Sequence, residues 1–177
     1  HLFWMSRYIE RAENLARLLD VTWQMSLVPQ SLDAANQNWN AIIALNSLQE
    51  AYDAKYAAVN AENVLNFMVR DADNQASIYN CLRLARENAH AVRGTITTEM
   101  WETLNATWLE AREKSFEQIM NAGVGEFFEW VKMRSSLSRI ACSASMWWLM
   151  SLISTKMPSW RRGRPSKWWC MGRCVGR

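Results

Sequence analysis

The run Arg7-Tyr-Ile-Glu-Arg-Ala-Glu-Asn-Leu-Ala-Arg-Leu-Leu-Asp20 constrains this chain more than any other stretch. At about 100° per residue, Met5, Tyr8, Ala12, Leu15, Ala16, Leu19 and Trp23 fall on one broad apolar arc. Arg7, Glu10, Glu13, Asn14, Arg17 and Asp20 share the opposite arc, and Arg11 stands at the border beside Leu18. Apolar residues recurring at three and four positions fit a helix buried on one side and not a strand. The polar arc allows two readings. One is a solvated face laced with ion pairs such as Glu13 to Arg17, each contributing a few tenths of a kcal/mol. The other is a polar seam held against a second helix. Charge patterning assigns Arg7 and Asp20 to the solvated face.

The remaining chain repeats the helical pattern. Six Gly and three Pro among 177 residues argue against a turn-rich β architecture. Pro29 and the polar run after it read as a connection. A second helix is expected over residues 35–56, carried by Trp39, Ile42, Ile43, Leu45, Leu48 and Tyr52. Asn60 is the expected N-cap of a short helix over 61–69, and Ser77 of another over 78–93 that Gly94 would stop. Thr97 or Thr98 starts a helix reaching about residue 121, with an aromatic stripe that includes Trp101 and Trp108. Gly123 and Gly125 then precede a further helix from near Glu126. The expected fold is all-α, a multi-helix bundle with a poorly specified basic tail.

Charge divides the chain unevenly. All 17 acidic residues lie before position 130, together with half of the 20 bases; residues 130–177 carry the other half and no acid. Residues 140–153 are apolar, but too few for the roughly 20 needed to cross a bilayer. Beyond them Trp160, Trp168 and Trp169 are mixed with Arg and Lys without a period. Such a tail reads as disordered or non-native, with a binder of anionic membrane surfaces or single-stranded nucleic acid as the alternative. A start at His1 instead of Met is expected of a clipped chain or a fragment, and no signal peptide is visible. The four cysteines do not space as a disulfide framework, which points to reduced thiols in the cytoplasm.

Few residues carry recognisable chemistry. Ala85-Arg-Glu-Asn-Ala-His90 echoes the opening run, so Glu13-Asn14 and Glu87-Asn88 both place Asn in mid-helix, where it favours side-chain hydrogen bonds over helix propagation. Glu87-x-x-His90 has the spacing of a helical di-metal pair, and Glu10-x-x-Glu13 would add carboxylates. A second Glu-x-x-His is missing, so no metal or other cofactor is assigned. Cys81 falls on an apolar face as a buried thiol, Cys170 and Cys174 lack a second pair, and no phosphate-cradling glycine loop occurs.

From Leu2-Phe-Trp-Met-Ser-Arg-Tyr-Ile-Glu-Arg-Ala-Glu-Asn-Leu-Ala-Arg-Leu-Leu-Asp20 through Ala85-Arg-Glu-Asn-Ala89 to Glu99-Met-Trp-Glu-Thr-Leu-Asn105, the chain resembles the bacterial alpha-E family. The resemblance covers residues 2 to about 135. It implies an all-helical domain named for a Glu-Arg motif, here Glu10-Arg11, usually duplicated in tandem. It also implies the company of ATP-grasp ligases, transglutaminase-like proteins and an N-terminal-nucleophile peptidase, and so a peptide synthesis or protein modification system.

Two departures stand out. His90 replaces the Arg usual in the family, and no Glu follows Glu129 to supply a second Glu-Arg helix. The expected organisation is therefore an incomplete helical domain over 1–135 and an atypical tail over 136–177, of the kind that a shifted reading frame in a GC-rich gene produces. The expected function is a non-enzymatic accessory or interaction module with an ATP-grasp ligase or transglutaminase-like partner. The alternatives are a carboxylate-based metal-dependent enzyme and a surface binder acting through the tail. The candidate polar seam comprises Glu10, Arg11, Glu13, Asn14, Arg17, Arg86, Glu87 and Asn88, with Glu10 and Arg11 singled out by the resemblance.

Overall fold

The apolar spacing of the opening run continues in both directions. Helix α1 spans Leu2–Ser26 in the computed structural model, which describes residues 1–29 and 31–138. Six further helices follow: α2 Leu32–Leu45, α3 Gln49–Asp53, α4 Ala61–Val69, α5 Ile78–Ala91, α6 Thr98–Glu113 and α7 Phe116–Ala122. Residues 124–138 form α8, and the described residues contain no strand. The apolar segment 140–153, Cys142, Cys170, Cys174 and most of the basic tail lie outside the described residues.

α1 packs most extensively on α5, and α5 next on α6. The α1–α5 pair is antiparallel. Met5 and Ile9 near the start of α1 cluster with Ala85 and Ala89 near the end of α5, together with Met100 and Leu104 of α6. Farther along, Ala12, Leu15, Ala16 and Leu19 join Ile78, Cys81 and Leu82 in the main core. The four alanines of this seam are fully buried. Side chains that small let two helix backbones approach closely, and the larger Leu and Ile neighbours fill the flanking grooves.

Caps divide the helices where side chains can supply them. Asn60 accepts a hydrogen bond from the Asn63 backbone N–H at 2.8 Å, and α4 has the predicted bounds. Ser77 and Thr97 cap α5 and α6 in the same way, at 3.2 and 3.3 Å. Three expectations need correction. The single helix over 35–56 is broken between α2 and α3, because Asn46 turns its amide back onto the Ile42 carbonyl at 2.9 Å and Ser47 adopts φ 55°. The helix expected to reach residue 121 stops at Glu113, because Ser115 and Gln118 form a reciprocal capping box that restarts the chain as α7. Finally, α5 ends at Ala91 and not at Gly94. Val92 and Arg93 donate to the Ala89 and His90 carbonyls, tightening the last turn without a left-handed residue. Gly123, at φ 113°, does make the expected break before α8.

Two clusters fix the connections around α4. Tyr52, Tyr56 and Phe67 contact one another by stacking and edge-to-face packing at 5.0–6.1 Å. Burial pushes the Tyr52 hydroxyl up to about 12, and it donates to the Ala58 carbonyl at 3.0 Å. Between α4 and α5 the connection is mostly exposed at residues 71–75, but it is anchored by the buried side chains of Asn74 and Asn80. Asn80 is 2% exposed, and its amide donates to the carbonyls of Ala72 at 2.6 Å and Asn74 at 2.9 Å. Asn74 in turn donates to the Phe67 carbonyl and accepts from the Ala76 backbone N–H, both at 2.9 Å.

Asn80→Ala removes the donor to the part-buried Ala72 and the buried Asn74 carbonyls, so urea unfolding is expected to show a loss of about 1–3 kcal/mol. Asn80→Asp, which supplies no donor and adds a charge, should lose more. A loss under about 0.5 kcal/mol for Asn80→Ala contradicts this role for the Asn80 amide.

Candidate functional site: the outer face of the first helix

Because α5 takes the apolar arc of α1, the outer arc is left to solvent or to other elements. Arg7, Glu10, Arg11, Asn14 and Arg17 are exposed. Glu10 meets Arg7 one turn earlier at 4.0 Å, the outer limit of an ion pair. Arg11 makes no hydrogen bond or ion pair among the described residues. It lines a cleft of about 350 Å³ with Arg7, Asn14, Leu15 and Leu18 of α1 and with Leu45 and Asn46 at the end of α2.

Two acids of the polar arc are not on this face. Glu13 is 2% exposed, and its Oε1 accepts from Arg17 Nη2 at 2.7 Å and Nε at 3.3 Å, so the exposed arginine reaches inward to it. Asp20, expected on the solvated face, is buried. It pairs with Lys132 of α8 at 2.8 Å, and Lys132 also reaches Glu129 at 2.6 Å. A helical wheel records one helix only, whereas α1 is covered from more than one side.

The second half of the predicted seam lies elsewhere. Glu87 pairs with Arg83 at 2.9 Å along α5. Arg86 donates to Asn105 of α6 at 3.1 Å and stands over the Trp101 ring at 5.3 Å. His90 and Arg93 flank the same ring at 5.6 and 5.2 Å. Asn88 donates to the Leu84 carbonyl, and its Oδ1 lies 2.9 Å from His1 Nδ1. The mid-helix Asn of α5 thus makes a cross-helix contact, while Asn14 faces the cleft. The structure does not gather Glu10, Glu13 and Glu87 into one ligand set, and among the described residues no three or more His, Cys, Asp or Glu converge to hold a metal.

Cys81 is fully buried, and burial pushes its thiol up to about 11 against the opposing pull of the Arg11 charge. At neutral pH it is a protonated, enclosed thiol. No described helix is long and apolar enough to cross a membrane.

A further polar network is not evident from the sequence. Glu110 of α6 accepts from the Trp130 indole at 3.1 Å and is paired with Arg134. Trp130 also stacks on Phe127 and lies 4.7 Å from the Lys114 ammonium. Lys132 and Arg134 come two and four residues after Trp130, at the point where the charge pattern turns basic. Residues two apart on a helix point to different sides, so no spacing in the sequence marks this network, which shows only once α8 is known to pack against α1 and α6.

Fold and face together define an all-α helical domain whose first helix presents a single Glu-Arg pair outward. The chain belongs to the Alpha-E family, described as a predicted alpha-helical domain with a conserved ER motif, whose model matches residues 1–147. Glu10-Arg11 is the only Glu-Arg dipeptide in the chain, so the motif falls on the exposed side of α1. Comparison with curated proteins and with solved structures gave no match.

The Asp20–Lys132 pair makes a pH-dependent contribution. The hydrogen bond to Asp20, then that to Glu129, raises the Lys132 ammonium above its ordinary value. Stability from that shift is fully present below about pH 10, where unfolded lysine is charged, and is lost as pH rises through the higher folded value. Lys132→Met is therefore expected to cost about 1.5–3 kcal/mol at neutral pH. The difference from the parent chain should shrink in alkaline urea titrations. A difference that stays constant above pH 10 contradicts the assignment.

Proposed function

We propose that the chain is a helical interaction module of a bacterial peptide synthesis or protein modification system, working in the cytoplasm. Its partner is an ATP-grasp ligase or a transglutaminase-like protein, and its contact surface is the outer face of α1. The observation that supports this reading is where the family's motif falls. A motif held constant for packing would sit in the core, yet Glu10 and Arg11 are both exposed, and the core beneath them is made by Ile9 and Ala12. A retained polar pair on a surface is better explained by what it binds than by what it stabilises. The cleft beside Arg11 supplies a recessed complement to that pair.

Co-purification tests the proposal. An untagged ATP-grasp ligase from the same source is expected to co-elute with the tagged full-length chain and to lose about tenfold or more in affinity for Arg11→Ala. Lys55→Ala, at a site away from α1, should bind as the parent does. Co-elution that is equally strong for Arg11→Ala, or absent with both the ligase and the transglutaminase-like protein, contradicts it.

A further inference from the structure

The cleft between α1 and the end of α2 has a charge arrangement that indicates its ligand. Arg7 and Arg11 stand one turn apart on α1, and like charges at that spacing repel by a few tenths of a kcal/mol in the free helix. Arg11 has no counterion among the described residues, and Arg7 has only the 4.0 Å contact to Glu10. No acidic residue lines the cleft. Helix α2 ends here, and a helix C-terminus ordinarily presents bare carbonyls that disfavour an anion. In this chain three of the last four carbonyls of α2 are occupied. Ile42 accepts from both the side-chain and backbone N–H of Asn46, Ile43 from the Leu48 N–H, and Ala44 from the Ser47 N–H.

The walls narrow the anion further. The half-buried Leu18 on α1 and the 74%-exposed Leu45 on α2 both line the cleft, so the arginines sit beside some apolar surface. Inorganic phosphate has no use for such surface, whereas the methylenes of a glutamate side chain would cover it while the carboxylate meets the arginine forks.

We propose that the Arg7–Arg11 cleft binds a glutamate-bearing acidic peptide segment. The guanidinium groups take a carboxylate, and the Asn14 side-chain amide is placed to orient it. The proposal rests on the outer face of α1 being the contact surface, and it names the chemistry of what is contacted.

Fluorescence anisotropy with the full-length chain tests it. The probe is a labelled hexaglutamate peptide blocked at both ends, with hexaglutamine as the uncharged control and inorganic phosphate as a competitor. Hexaglutamate is expected to bind, hexaglutamine is not, and Arg7→Gln and Arg11→Gln should each weaken binding about tenfold, with Arg11→Lys intermediate because a lysine cannot fork. Arg112→Gln, on the exposed side of α6, should leave binding unchanged. Absence of hexaglutamate binding overturns the proposal. So does binding that survives Arg7→Gln and Arg11→Gln, as attraction to the basic residues after position 130 would. Displacement by phosphate at the same concentration as by free glutamate shows a generic anion site and also overturns it. Failure of the two proposals is separable. Arg11→Gln that loses the ligase yet keeps hexaglutamate binding sinks this inference alone, and the reverse pattern sinks the proposed partner alone.

Discussion

The antiparallel seam between α1 and α5 sets the terms for the rest of the bundle. Ala12 and Ala16 on one helix and Ala85 and Ala89 on the other are completely buried, which leaves little room for a larger side chain in any of the four positions. Once the seam is closed, the rotation of α1 about its axis is decided. Met5, Ile9, Leu15 and Leu19 must face the interior, and Glu10, Arg11 and Asn14 must face away from it. α6 folds back over the α5 end of the seam with Met100 and Leu104, and α8 is tied on by Lys132 reaching Asp20. The exposure of the Glu-Arg pair follows from packing on the opposite side of the helix.

Much of this architecture could be read from the residues because the signals were local. An Asn, Ser or Thr that caps a helix needs only its own next turn, so Asn60, Ser77 and Thr97 were legible before any packing was known. The breaks at Asn46-Ser47 and at Lys114-Ser115 were not, because an apolar stripe continues across each of them and hides the capping residues. Gly94 misled for a related reason: glycine signals that a chain can turn, and α5 had already turned through ordinary backbone at Val92.

The candidate site was legible to a smaller degree. The outward placement of Glu10, Asn14 and Arg17 follows from the period of α1 alone, which left Arg11 at the border of the apolar arc. The burial of Glu13 and Asp20 does not, since it depends on which elements cover the flanks of α1. The echo between the Glu-Asn pairs of α1 and α5 suggested one shared seam, yet the structure spreads it over separate contacts, with Arg86 committed to Asn105 and Trp101 and Glu87 to Arg83. Similar sequence motifs on antiparallel partners run in opposite directions, and so their charged residues need not meet.

Stability and recognition are thus assigned to opposite sides of one helix, and that division is the central claim. Urea unfolding of the Glu10→Gln, Arg11→Gln double variant measures it most directly. With both side chains solvated, the unfolding free energy is expected to stay within about 0.5 kcal/mol of the parent. A loss of about 2 kcal/mol or more would mean that the Glu-Arg pair is part of what holds the bundle together, and the division would be wrong.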